Sequence, residues 1–92
     1  MSEFWVPVDP DALRRERARA RELRTRLEEV EKQIHALEGR LRELGVALGD
    51  PALYADGARA RAVAAERRRA EERVAWLMHE WEELSAALAA HE

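Results

Sequence analysis

From Ala20 to Leu48 apolar residues return at Ala20, Leu23, Leu27, Val30, Ile34, Leu37, Leu41, Leu44 and Leu48, in steps that alternate between three and four without a miss. An apolar group every 3.5 residues on average stays against a partner only if two helices wind along each other. The pattern therefore specifies a coiled-coil seam, narrower than the stripe of a globular helix. A second run, Val63, Ala70, Val74, Leu77, Trp81, Leu84 and Leu88, repeats the alternation, with Arg67 standing at a seam position. Glu16 is the polar interruption near the start of the first run, after Leu13.

Between the two runs lies Gly49-Asp50-Pro51, where proline can neither continue the hydrogen-bond ladder nor leave its predecessor helical. Asp50 and Pro51 suit one short turn, which Asp56-Gly57 breaks again. At the other end Asp9, Pro10 and Asp11 read as a helix start, with a capping carboxylate, a proline preset for the first turn, and a second acid at the positive helix end. The resulting expectation is an irregular arm over 1–8, bearing Phe4 and Trp5, then a hairpin over 9–92: helix 9–46, loop 47–57 and helix 58–90.

A loop this short makes the helices antiparallel neighbours. The fold class is all-α, an antiparallel two-helix coiled-coil hairpin, with Leu23, Leu27, Ile34, Leu41, Leu77, Trp81 and Leu84 as seam anchors. Folding about the loop sets Leu41 near Val63, Ile34 near Ala70, Val30 near Val74, Leu27 near Leu77 and Leu23 near Trp81. The same register puts Arg40 beside Glu66 and Arg26 beside Glu80, exposed pairs that set alignment more than they hold the fold. Because the first half of the second helix is poor in large side chains, the loop end should pack more loosely than the open end. A helix of some 36 residues would be about 54 Å long, so the product is a rod.

Composition agrees and narrows the chemistry. A chain of 92 residues with 38% charged side chains cannot enclose the thick core that a catalytic cleft needs. It has no cysteine, which removes disulfides and thiolate metal sites, and no apolar stretch approaching the roughly 20 residues that span a bilayer. A cytoplasmic protein away from the membrane is the expectation. His35, His79 and His91 lack a companion ligand, and Ser2, Thr25 and Ser85 lack a base at helical spacing. No catalytic residue, metal or cofactor is assigned.

Arginine supplies nearly all the positive charge, Lys32 being the only lysine. One cluster, Arg14 to Arg26, lies at the open end, where Glu80, Glu82 and Glu83 should neutralise part of it. The other includes Arg40, Arg42, Arg59, Arg61, Arg68 and Arg69 near the loop. It has fewer compensating acids, chiefly Glu38, Glu43 and Glu66, and guanidinium forks suit bidentate phosphate binding. These six residues are the candidate nucleic-acid contacts, for DNA or RNA. Tyr54 could stack on a base, but packing of its ring against the last seam layer is the plainer role. Trp76 and Met78 fall off the seam, and with the arm they offer a second class of function, docking on a protein or on a second copy as a homodimer.

Asp50-Pro51-Ala52-Leu53-Tyr54-Ala55-Asp56, preceded by Leu37-Glu38 and followed by Glu80-Trp81-Glu82-Glu83-Leu84, resembles the C-terminal coiled-coil domain of ABC-F ATPases, most of all the Uup-like branch. The likeness spans roughly three-quarters of the chain. It implies an appendage that follows two ATPase cassettes in a non-transporter ATPase associated with ribosomes and translation, linked in Uup-like relatives to DNA binding. It also implies that Asp50, Pro51, Leu53 and Tyr54 shape the tip while Trp81 and Leu84 close the open end. The chain departs from the family in carrying no cassette, no Walker motif and no lysine-rich linker before the hairpin. Any ATPase activity would belong to a parent chain. The coiled-coil arm of an aminoacyl-tRNA synthetase has similar architecture, but this loop fits it less well.

Overall fold

The computed structural model describes residues 9–91, so the expected arm with Phe4 and Trp5 lies outside the described residues. Two helices account for nearly all of them: α1 spans Pro10–Leu48, a short 3-10 turn spans Pro51–Ala55, and α2 spans Gly57–His91. The chain is an antiparallel helical hairpin. With 39 residues, α1 is about 58 Å long at 1.5 Å per residue.

Each break in the helical ladder has a local cause. Asp9 caps α1, its carboxylate accepting from the Asp11 N–H (3.0 Å) with Pro10 in the first turn. Asp50 repeats the device for the 3-10 turn, accepting from the Ala52 N–H (2.9 Å) ahead of Pro51. Asp56 then starts α2 by accepting from the Arg59 N–H with its side chain (3.1 Å) and from the Ala60 N–H with its carbonyl (3.0 Å). Helix α1 runs through Gly45 and ends at Leu48, two residues beyond the sequence expectation. A single glycine inside a helix costs only about 1 kcal/mol, too little to break one that is packed along its length.

The seam is thin. Its buried members are Ala20, Leu23, Val30, Ile34 and Leu44 from α1, with only Ala70 and Leu77 from α2. Val30 and Leu77 are fully enclosed and form a cluster with Ile34, against which Leu37, Trp81 and Leu84 pack. Leu27 and Leu41 are half-buried. Leu77 thus groups with Val30 and Ile34, the two seam positions after the Leu27 that sequence alignment set opposite it. A coiled-coil knob enters a hole bounded by several residues of the facing helix, so a one-to-one pairing understates its neighbours.

The loop end has few buried side chains. Leu44 is buried there and Leu53 of the turn is half-buried, although α2 has no buried residue before Ala70. Arg67, expected in the seam, is exposed and donates to Glu71 at 2.9 Å. On a rod only two helices wide, a long guanidinium stem swings into water with little rearrangement. No polar or charged side chain is buried among the described residues, and no helix is long and apolar enough to cross a membrane.

Candidate nucleic-acid interface at the hairpin tip

The six candidate arginines surround the loop end without converging on a pocket. Arg42 is exposed on α1, one helical turn before the exposed Val46. Arg59 sits in the first turn of α2. Arg61 and Arg68, seven residues apart and both exposed, lie along one line on its outer surface. Arg69 turns toward the flank occupied by Glu66, whose carboxylate its charge helps to keep ionised.

Arg40 differs from the other five. Its Nε and Nη2 donate to the two carboxylate oxygens of Glu66 at 2.7 and 2.9 Å, and its Nη1 donates to Glu43 at 3.0 Å. These hydrogen bonds, those to Glu66 first, raise the Arg40 pKa further above its ordinary value. The Arg40 hydrogen bond is also the main reason the Glu66 carboxyl titrates below its usual range. All three forks of Arg40 charge are therefore committed inside the chain. Its second partner, Glu43, lies one turn away on the same helix, a spacing of three that was open to sequence inspection.

The acids of the tip are engaged as well. From Arg40 to Arg69 the sequence holds seven arginines against four acids, Glu43, Asp50, Asp56 and Glu66. Glu43 and Glu66 bind Arg40, while Asp50 and Asp56 cap backbone N–H groups. Arg67 pairs with Glu71. Among the described residues Arg42, Arg59, Arg61, Arg68 and Arg69 take part in no ion pair.

Tyr54 is 58% exposed, and its hydroxyl donates to the Leu48 carbonyl at 2.6 Å. The ring is therefore not packed into the last seam layer as the sequence suggested. It instead caps the end of α1, whose last turn contains no basic residue to satisfy its carbonyls. That deficit was the available signal. A tyrosine pinned through its hydroxyl keeps an aromatic face in solvent at a fixed orientation beside Asp50 and Pro51 of the turn.

The remaining charges are arranged differently. At the open end Arg26 donates to Glu80 at 2.5 Å, Arg19 pairs with Glu22 at 3.4 Å, and Arg14 pairs with Asp11. Of the acidic stretch on α2, only Glu80 is paired across the hairpin, whereas Glu83 takes His79 on its own helix at 3.0 Å. Trp81 donates its indole N–H to Glu31 at 3.1 Å, a bond across the seam that apolar periodicity does not reveal. Among the described residues no group of three or more His, Asp or Glu side chains is placed to hold a metal.

Trp76 and Met78 do not share a face. Two helical steps separate them by about 200° around α2. Met78 borders a shallow apolar groove with Ile34 and Trp81, rimmed by Glu31, His35 and Glu38, and Trp76 is not part of it.

No curated protein and no solved structure matches the chain. The family described as the ABC transporter C-terminal domain does match, over residues 17–86, which take in most of both helices and the whole turn between them. The chain therefore belongs to the ABC transporter C-terminal domain family, whose members are accessory domains of ABC proteins.

Proposed function

We propose that the hairpin contacts nucleic acid through its tip, as the accessory arm of an ABC-F ATPase of the Uup-like branch. The observation that supports this reading is the charge bookkeeping of the tip. Every acid between Arg40 and Arg69 is bound to Arg40 or to a backbone N–H, while Arg42, Arg59, Arg61, Arg68 and Arg69 make no ion pair among the described residues, Arg69 acting on Glu66 through its charge alone. A polyanion brought to this end meets five guanidinium groups that make no ion pair among the described residues, with Glu38 and Glu72 as the unpaired acids that flank them.

Arg40 serves a different purpose in this reading. Tied to Glu66 across the hairpin and to Glu43 along α1, it holds register, and the phosphate contacts fall to the other five arginines. Their spread around the tip suits sequence-tolerant contact with a backbone, on DNA or on structured RNA such as that of a ribosome. Cassettes elsewhere in a parent protein would supply ATP hydrolysis, and this domain would supply reach.

The test is a titration of the full chain with labelled duplex DNA and structured RNA at low and high salt. With at most five phosphate contacts, log K should fall against log salt with a slope no steeper than about −4.5 on duplex DNA. Reversing Arg61 and Arg68 to Glu together should weaken binding to every sequence alike. Binding that is absent at low salt, indifferent to salt, or unchanged by the double reversal would overturn the reading.

A further inference from the structure

Met78 is 43% exposed beside the half-buried Trp81, and with Ile34 the two make the apolar floor of the shallow groove between α1 and α2. Glu31, His35 and Glu38 of α1 form its rim. Glu31 Oε1 accepts the Trp81 indole N–H at 3.1 Å, which fixes the ring as part of the floor. The hollow holds about 240 Å³, below the roughly 300 to 1,000 Å³ of small-molecule pockets, and it is open to solvent. A helix laid along the rod fills such a space with one or two apolar side chains, as a third strand adds to a coiled-coil seam.

The rim restricts the charge of what can lie there. Glu31 and Glu38 make no ion pair among the described residues, and Glu31 Oε2 accepts no hydrogen bond among them. Within about a turn of the rim on the same flank are Glu28 and Arg42 of α1 and Glu82 of α2, and Lys32 stands toward the back of α1. None of these is in an ion pair among the described residues either. Four carboxylates thus stand against Lys32, Arg42 and a histidine. Further along α2, Glu71 and Arg67 neutralise each other at 2.9 Å. The cross-hairpin pairs Arg26–Glu80 and Arg40–Glu66 lie on the opposite flank of the seam.

Three occupants fit poorly. A phosphate-bearing ligand meets the two carboxylates that border the floor. A second copy in symmetric contact brings the same groove to itself, setting the rim acids of one copy against those of the other. The arm does not reach: Ile34 lies about 36 Å along α1 from Pro10, whereas fully extended backbone carries Phe4 no more than about 18 Å from Asp9. A cationic partner with an apolar edge meets every requirement. Glu31 and Glu38 are about 10 Å apart along α1. A partner helix with Arg or Lys at i and i+7 matches that spacing, and its residues i+3 and i+4 fall over Ile34, Met78 and Trp81.

We propose that the groove of Ile34, Met78 and Trp81 is the docking site for a basic amphipathic helix of a partner protein. Its aliphatic side chains seat on the floor, and its Arg or Lys at i and i+7 pair with Glu31 and Glu38. The inference does not depend on the nucleic-acid reading of the tip.

The probe is a fluorescent helical peptide with Leu at i+3 and i+4 between Arg at i and i+7, compared with a counterpart in which Glu replaces each Arg. Binding to the full chain is read by anisotropy. The wild type should bind the Arg peptide, more weakly as salt rises, and should not bind the Glu peptide. Binding should shift the Trp81 indole N–H resonance and leave that of Trp76 in place. Combining Glu31→Gln with Glu38→Gln keeps an acceptor for Trp81 and should weaken binding about twofold to thirtyfold, the worth of two exposed ion pairs. Met78→Ala should weaken it about fivefold or more, as for an interface residue that packs against its partner. Trp76→Ala, on the other flank, should leave affinity unchanged, and all variants should keep the helical circular dichroism of the wild type. Equal affinity for the two peptides, or undiminished affinity in either the double Gln variant or Met78→Ala, would overturn the site. No binding of the Arg peptide at low salt would overturn it and leave the tip reading, measured with DNA and RNA, untouched. A wild-type dimer that Met78→Ala converts to monomer would assign the groove to a second copy and overturn the proposal.

Discussion

Replacing Leu77 by alanine tests the seam at its narrowest dependence. Leu77 is fully enclosed and is the only large side chain of α2 that is buried, and its cluster with Val30 and Ile34 is where the two helices meet without solvent. Leu→Ala changes in protein cores cost about 2 to 5 kcal/mol, the upper part of the range arising where the cavity cannot collapse. A rod two helices wide is open on both flanks, so Leu37, Trp81 and Leu84 can close in on the space, and the lower part applies, about 2 to 3 kcal/mol. For a domain of this length each kcal/mol moves the melting temperature by about 4 to 8 °C, giving an expected drop of roughly 10 to 20 °C. The assay is thermal and urea unfolding followed by circular dichroism at fixed protein concentration. Met78→Ala, one residue further on but 43% exposed, is the control and should move the transition by only a small part of that. A Leu77→Ala loss no larger than that of Met78→Ala would refute lengthwise burial of these two segments against each other.

Two further expectations concern the loop half. A Cβ added at Gly45 meets nothing within 4 Å and its φ is not positive, so Gly45→Ala should stabilise the hairpin by about 0.5 to 1 kcal/mol in urea unfolding, and a destabilisation would refute the open geometry of that turn. Glu66 has its folded pKa lowered, chiefly by the Arg40 hydrogen bond, so its stabilisation is present above the ordinary carboxylate value of 4.5 and lost as pH falls through the lower folded value. The drop in melting temperature between pH 7 and pH 3 should therefore be smaller in Glu66→Gln than in the wild type, and an equal drop would refute the coupling.

How far the sequence reaches depends on what kind of force decides each feature. The helices, their antiparallel course and the pairs Arg26–Glu80 and Arg40–Glu66 follow from the position of apolar residues along the chain, because register has few alternatives once the seam must stay dry. Aspartate caps at Asp9 and Asp50 are equally local and were read from neighbouring residues alone. Features that depend on a free side-chain rotation were not legible. Arg67 leaves the seam for Glu71, and Tyr54 turns its hydroxyl to Leu48. In each, several partners lie within reach of a long side chain and the choice follows from the surrounding geometry. The candidate site belongs to this second kind. Seven arginines near the loop were countable, but which of them lack an acid within the chain appears only when every carboxylate has been followed to its partner.

That distribution of partners gives the rod a direction. At the open end, Arg14 to Arg26 are interspersed with Asp11, Glu16 and Glu22 and face Glu80, Glu82 and Glu83 across the hairpin, so their field is largely cancelled within the domain. At the tip the acids hold the turn together: Asp50 and Asp56 fix the backbone of the reversal, and Glu66 fixes the register behind it. These carboxylates stay charged while they shape the loop end, so the positive excess there is that of seven arginines over four acids between Arg40 and Arg69, in a chain whose formal net charge is −3. Stiffness matters to this arrangement because potential decays over about 8 to 10 Å at physiological salt, much less than the roughly 58 Å length of α1. A flexible hairpin would let the acidic segment of α2 fold back and screen the tip. A straight seam keeps the two ends several screening lengths apart, so the charges of one end are felt little at the other.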